Sequence, residues 1–266
     1  MLLAGFSAFE VLSYRWGVAS IVLIVFGWLS GCNFRLAGKD WGVVFLLSLL
    51  RAVTSFSLII AYQNIASGVA STIHFMYPLA VALAMMFFFR EKKSLLVILA
   101  VLMSLLGAAL LSLGELEAKS GNTMVGLVAA CVSVFSYAGY IVGVRTTRAV
   151  QINSTALTCY VMGLGTIFYL IGAYCTSGLQ LVSDGYTWLI ILGLALPATA
   201  ISNITLVQAI KYAGPTLTSI LGAMEPLTAV VIGVFVFKEL FTVNSAVGII
   251  LILLAVSIVV FRRQKS

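Results

Sequence analysis

Three titratable side chains lie deep in apolar stretches of this sequence: Arg51, His74 and Glu225. At ~1.5 Å per helical residue they sit roughly 10–17 Å from one end of their stretches. A charge at that depth in hydrocarbon costs on the order of several kcal/mol, so each needs a reason. Glu225 can carry a proton or meet a cationic substrate group. Its alternative role is an ion pair with Arg51, opposite in sign and similar in depth. The planar fork of Arg51 suits a carboxylate or phosphate, unless it serves only as that counter-ion. His74, the only histidine, can shuttle protons near neutral pH or sit as a satisfied packing residue. Asn203 and Gln208 add polar groups behind Pro197; they line a cavity or bond between helices. No His or Cys spacing suggests a metal, and no cofactor is expected.

The elements that must hold these groups follow from composition. Of 266 residues, 62% are hydrophobic and 9% charged, and mean hydropathy is +1.17. Soluble domains are roughly 45–50% apolar and about 25% charged, so a soluble chain of this makeup could not cover its surface. Nine apolar runs reach bilayer length: Ser13–Ser30, Trp41–Tyr62, Ser67–Phe89, Ser94–Leu113, Met124–Val144, Thr155–Thr176, Tyr186–Ala209, Gly214–Phe237 and Phe241–Phe261. They are too long and too continuously apolar for barrel strands. The expectation is an all-α polytopic membrane protein with the lipid bilayer as its main partner. A net charge of +7 is loop placement, with no nucleic-acid partner. Cys32, Cys131, Cys159 and Cys175 read as packing residues, and Met1 opens with no cleavable leader pattern. Trp16, Trp28, Trp41 and Trp188 read as an aromatic belt near span ends. The Gly139/Gly143 GxxxG marks close packing inside the bundle; a homodimer seam is its other use.

Lys and Arg are strongly biased to one side. Arg35, Lys39, Arg90, Lys92, Lys93, Arg145, Arg148, Lys211, Arg262, Arg263 and Lys265 face Lys119 and Lys238, with Arg15 just inside the first span. The rich side, with the C-terminus, is placed in the cytoplasm of a cell-membrane protein. Two stretches share one grammar: ASGVASTIHFMYPLAVALAMMFFFRE and GPTLTSILGAMEPLTAVVIGVFVFKE. Pro78 and Pro226 stand 148 apart (226 − 78 = 148), as do Glu91 and Glu239 (239 − 91 = 148). Both glutamates read as favouring the N-terminal dipole of the next helix. Their loops fall on opposite sides, so the copies are an inverted-topology repeat, the usual build of secondary transporters. Residues 1–113 form the first copy and 124–261 the second. Inversion needs an odd number of spans; the second copy has five and the first four. The partner of Met124–Val144 falls before Met1, so an opening helix is expected to be missing, through a late start codon or a nine-helix variant. Tyr77 occupies the first-copy position of Glu225. Pro78 and Pro226 mark symmetric weak points, read as hinges.

These repeats, together with the opening LSYRWGVASIVLI, resemble the EamA-type transporters of the drug/metabolite transporter superfamily over essentially the whole chain. The resemblance implies ten helices in two five-helix halves, a central substrate cavity, and metabolite or amino-acid-like export in many members. The chain is therefore expected to be an inverted-repeat transporter bundle with nine of those helices. It would move a small metabolite, amino-acid-like or otherwise polar or amphipathic, outward by alternating access. Its halves would rock about a cavity lined by the Arg51, His74, Asn203 and Glu225 spans, with proton coupling through Glu225. The alternative is a non-transporting scaffold or accessory subunit. With no catalytic pairing and no phosphate loop, an enzyme is not expected.

Overall fold

Every regular element among the described residues is helical. The computed structural model describes residues 6–91, 95–112, 121–176, 178, 180–222, 224–235 and 242–264. In chain order the α-helices are α1 (Ala8–Leu29), α2 (Trp41–Asn64), α3 (Ser67–His74), α4 (Tyr77–Phe88), α5 (Leu95–Ser112), α6 (Thr123–Thr146), α7 (Ser154–Thr176), α8 (Gly185–Ala195), α9 (Ser202–Ala213), α10 (Pro215–Leu221), α11 (Met224–Phe235) and α12 (Val243–Gln264). A π turn at Leu196–Ile201 joins α8 to α9. The pairs α3/α4, α8/α9 and α10/α11 are each one interrupted span, so the described helices make nine passes, as the sequence predicts. The copies also agree in register: α3 and α10 start 148 apart (215 − 67 = 148), and so do α5 and α12 (243 − 95 = 148). The fold is an all-α, polytopic, inverted-repeat bundle.

Local chemistry sets the helix ends. α1 begins five residues before the expected Ser13 because Ser7 and Glu10 form a capping box. The Glu10 N–H donates to Ser7 Oγ at 3.3 Å, and the Ser7 N–H to Glu10 Oε2 at 2.7 Å. The earlier start moves Trp16 away from the span end. It is 1% exposed and does not belong to an aromatic belt, whereas Trp28 is largely exposed. α8 is capped by Asp184, whose carboxyl is held below the usual carboxylate range by the Thr187 N–H, the Thr187 hydroxyl and the Tyr186 N–H. The expected single helix over Ser67–Phe89 is instead broken after His74. Pro78 is the second residue of α4, where its missing N–H leaves no intrahelical bond unmade. Pro226 likewise falls in the first turn of α11. The two prolines start new helices rather than bend continuous ones.

The chain resolves into two compact units, Met1–Phe56 with Gly143–Tyr212, and Ser57–Val142 with Ala213–Ser266. Each takes elements from both sequence copies, so the units cut across the expected halves. In the first unit, α7 packs on α1 through glycines that admit aromatic rings. A Cβ at Gly165 would stand 2.2 Å from the Trp16 ring. Gly143 of the GxxxG lies against Leu47, so this glycine serves packing within the unit. In the second unit, α5 and α12 approach until a Cβ at Gly107 would stand 2.7 Å from the Gly248 carbonyl oxygen. Val97, Ala100 and Val101 of α5 form a core there with Ala82, Met86, Ile220 and Ala255. Many Ser and Thr hydroxyls donate to carbonyls of their own helix, as Ser48 to Val44 and Thr54 to Leu50 at 2.7 Å each. Such hydroxyls are satisfied locally. Large apolar side chains such as Phe88 and Leu95 point outward, as hydrocarbon surroundings require.

Because the Trp16 ring fills the place of a Gly165 side chain, Gly165→Ala should destabilise the protein by about 1–3 kcal/mol. Gly193→Ala, where nothing lies within 4 Å of the added carbon, should leave the unfolding temperature unchanged or slightly higher. Thermal unfolding of both variants in detergent checks the contrast.

Candidate functional site

In the first unit the site grows from the π turn. Pro197 offers no N–H, and around the widened turn side chains donate to backbone carbonyls. Arg15 of α1 donates from one terminal nitrogen to the Ala198 carbonyl at 3.2 Å, and from Nε to Thr199 Oγ1 at 2.5 Å. The Thr199 hydroxyl donates to the Leu194 carbonyl at 2.8 Å. Asn203 Nδ2 donates to the Thr199 carbonyl at 2.7 Å, leaving Asn203 Oδ1 to accept from Arg51 Nε at 3.2 Å. Arg51 also donates to Ser55 Oγ at 3.1 Å, and its guanidinium lies 5.9 Å from the centre of the Trp16 ring, a cation–π contact. The hydroxyl of Tyr169, whose ring meets Trp16 edge-on at 5.1 Å, donates to the Ala52 carbonyl at 2.7 Å.

Two of the expected residues, Arg51 and Asn203, therefore meet directly. Gln208 is exposed and stands outside the cluster. Arg15 had counted only towards loop charge; its signal was a basic residue inside an apolar run. Trp16, Tyr169 and Thr199 gave no signal, because a uniformly apolar span does not show which face turns inward.

The second unit holds a different set. His74 ends α3, and its Nδ1 lies 2.9 Å from Ser133 Oγ. Ser133 gives its only hydrogen to the Ala130 carbonyl at 2.6 Å, so it accepts from His74. Nδ1 thus bears the proton, and in the neutral ring Nε2 is the acceptor. The imidazole stacks on Tyr137 at 5.4 Å and lies 5.5 Å from Tyr77. Tyr77 and Tyr137 meet at 4.6 Å, and Tyr140 continues the row at 6.5 Å. Ser133, Tyr137 and Tyr140 share one face of α6, a spacing of four and three that sequence reading passed over.

The buried Tyr77 reaches the α10/α11 break: a Cβ at Gly222 would fall 1.8 Å from its hydroxyl oxygen. Three residues on, Glu225 occupies the first turn of α11, where its N–H donates to the Gly222 carbonyl at 3.0 Å. A carboxylate there is favoured by the helix dipole. Its side chain is exposed, while Pro226 is buried. Glu91 accepts from Thr216 Oγ1 of α10 at 2.6 Å; Glu239 lies outside the described residues. Arg51 and Asn203 thus belong to one unit, and His74, Tyr77 and Glu225 to the other.

Asn203, His74 and Glu225 each stand on an interrupted span of an all-helical, multi-pass fold, a build in which membrane transporters place their sites. The chain belongs to the EamA-like transporter family, whose sequence profile matches residues 1–113 and 124–261. It is 28% identical over 238 residues to an "uncharacterized transporter" of Archaeoglobus fulgidus, covering 88% of this chain and 83% of that one. A crystal structure described only as that of a protein superposes with a TM-score of 0.82 at 17% identity. It covers 99% of this chain and 91% of its own, and the likeness is one of fold alone.

Thr199 both accepts from Arg15 and ties the π turn to Leu194. Thr199→Val keeps the shape and removes both bonds. The unfolding free energy should fall by about 1.5–3 kcal/mol, the range for hydrogen bonds to charged groups. A thermal or denaturant midpoint equal to that of the unmodified protein would show that the turn does not depend on this hydroxyl.

Proposed function

We propose that this protein is a secondary transporter that moves a small polar or amphipathic metabolite carrying a carboxylate or phosphate, amino-acid-like in the simplest case. The observation that carries the reading is the pair of guanidinium groups, Arg15 bonded within one π turn and Arg51 bonded to Asn203 just beyond it, in the first unit. Arginine forks match planar anions bidentately. In the second unit, Glu225 at a helix start and the His74–Tyr77–Tyr137 set supply a carboxylate, an imidazole and aromatic faces. Transport proceeds by alternating access, in the export direction, with Glu225 as the proton-coupling group. The breaks before Pro78 and Pro226 are the hinges, and residues 1–113 and 124–261 act as the two inverted repeats. The protein resides in the cell membrane, with its arginine- and lysine-rich loops and C-terminus in the cytoplasm.

The test is counter-flow of labelled amino acids and small organic acids in proteoliposomes. The wild-type protein should exchange at least one of them. Glu225→Gln should insert normally and lower net flux at least tenfold, about 1.4 kcal/mol of barrier. Normal flux in that variant would remove Glu225 from the mechanism. A folded wild-type protein that exchanges nothing would favour a scaffold.

A further inference from the structure

A cavity of about 420 Å³ lies in the first unit, away from the π turn. Its walls are Ser20 and Ile24 of α1, Gly163, Leu164 and Ile167 of α7, Phe34 within the α1–α2 connection and Trp41 at the start of α2. Small residues open it: a Cβ on Gly163 would already press on Ser20 Oγ at 3.2 Å. The connection is fixed against α7, because Tyr160 donates its hydroxyl to the Phe34 carbonyl at 2.6 Å and meets Trp41 edge-on at 5.5 Å. Ile24, Trp41 and Ile167 are each about half exposed, so the cavity opens sideways through large apolar side chains on membrane-spanning helices. Its volume is in the range that holds a small ligand, about 300–1,000 Å³.

Charge at its mouth says what enters. Between Phe34 and Trp41 run Arg35 and Lys39, both exposed. The acid of this connection, Asp40, is paired with Arg148 at 3.1 Å. The rim is therefore cationic beside an apolar slot. We infer that this groove binds an anionic glycerophospholipid, with one acyl chain between α1 and α7 and the phosphate against Arg35 and Lys39. Basic groups flanking an intramembrane crevice on the cytoplasmic side attract anionic headgroups, which matches the orientation proposed above. The site is distinct from the solute path, and lipid composition would act on α1 and α7, the helices that carry Arg15 and Tyr169.

The experiment uses the full chain in phosphatidylcholine vesicles doped with phosphatidylglycerol bearing a photoreactive acyl chain, or with phosphatidylcholine bearing the same group. Cross-links are mapped by mass spectrometry. Phosphatidylglycerol should label the Ser20–Ile24 and Gly163–Ile167 peptides in preference to phosphatidylcholine. Arg35→Gln with Lys39→Gln, on an exposed connection that leaves the helices intact, should reduce that labelling roughly tenfold or more, the size expected of two basic groups at an anionic surface. Leu164→Trp, at a residue that lines the slot and would fill it, should lower labelling by both lipids. Equal labelling by the two lipids in the wild-type protein, or unchanged phosphatidylglycerol labelling in the double variant, overturns the proposal in favour of bulk boundary lipid.

Discussion

A backbone polar group in hydrocarbon must find its partner inside the protein, and each interrupted span here is shaped by that constraint. An unbroken helix meets it alone. A break does not, so each interruption needs other partners, side chains at the π turn and main-chain groups at the α3/α4 and α10/α11 breaks. At the π turn the Ala198 and Thr199 carbonyls are met by Arg15 and Asn203. At the α10/α11 break the Gly222 carbonyl is met by the Glu225 N–H. The side chains brought in to satisfy the backbone at the π turn are guanidinium and amide, groups whose chemistry also suits small polar solutes. Fold and site thus share one origin.

The two units answer the constraint with different chemistry. The first is cationic, with two guanidiniums steadied by an amide, hydroxyls and the Trp16 face. The second is aromatic, with His74 bonded to Ser133 and packed on tyrosines. The inverted repeat accounts for matched helix starts and matched prolines. It does not account for Glu225, which stands where the first copy has Tyr77. That substitution breaks the symmetry where the copies otherwise agree.

The number of passes, their near boundaries and the family were legible because run length, loop charge and the 148-residue register are local or additive properties. Arg51, His74, Asn203, Tyr77 and Glu225 were legible as polar groups in apolar runs. Their partners were not. In a membrane helix apolar residues occupy every face, so no amphipathic phase points Trp16, Tyr169 or Tyr137 inward. The start of α1 was missed although Ser7 and Glu10 spell a capping box, since the eye follows the apolar run rather than its cap. Pro78 and Pro226 were read as kinks. Proline fits the first turn of a helix better than its interior, and both stand there. Nor does sequence order show that each compact unit draws on both copies, because that depends on packing between distant helices such as α5 and α12.

If the π-turn cluster recognises an anionic solute, binding must depend on the fork of Arg51 and not on its charge alone. The direct measurement is the shift in unfolding temperature of purified protein titrated with small carboxylate and phosphate metabolites. A ligand at a hundred times its dissociation constant adds about 2.7 kcal/mol of stability. The account predicts that at least one such metabolite raises the unfolding temperature of the wild-type protein, and that Arg51→Lys abolishes the rise. Equal shifts in both proteins would contradict it.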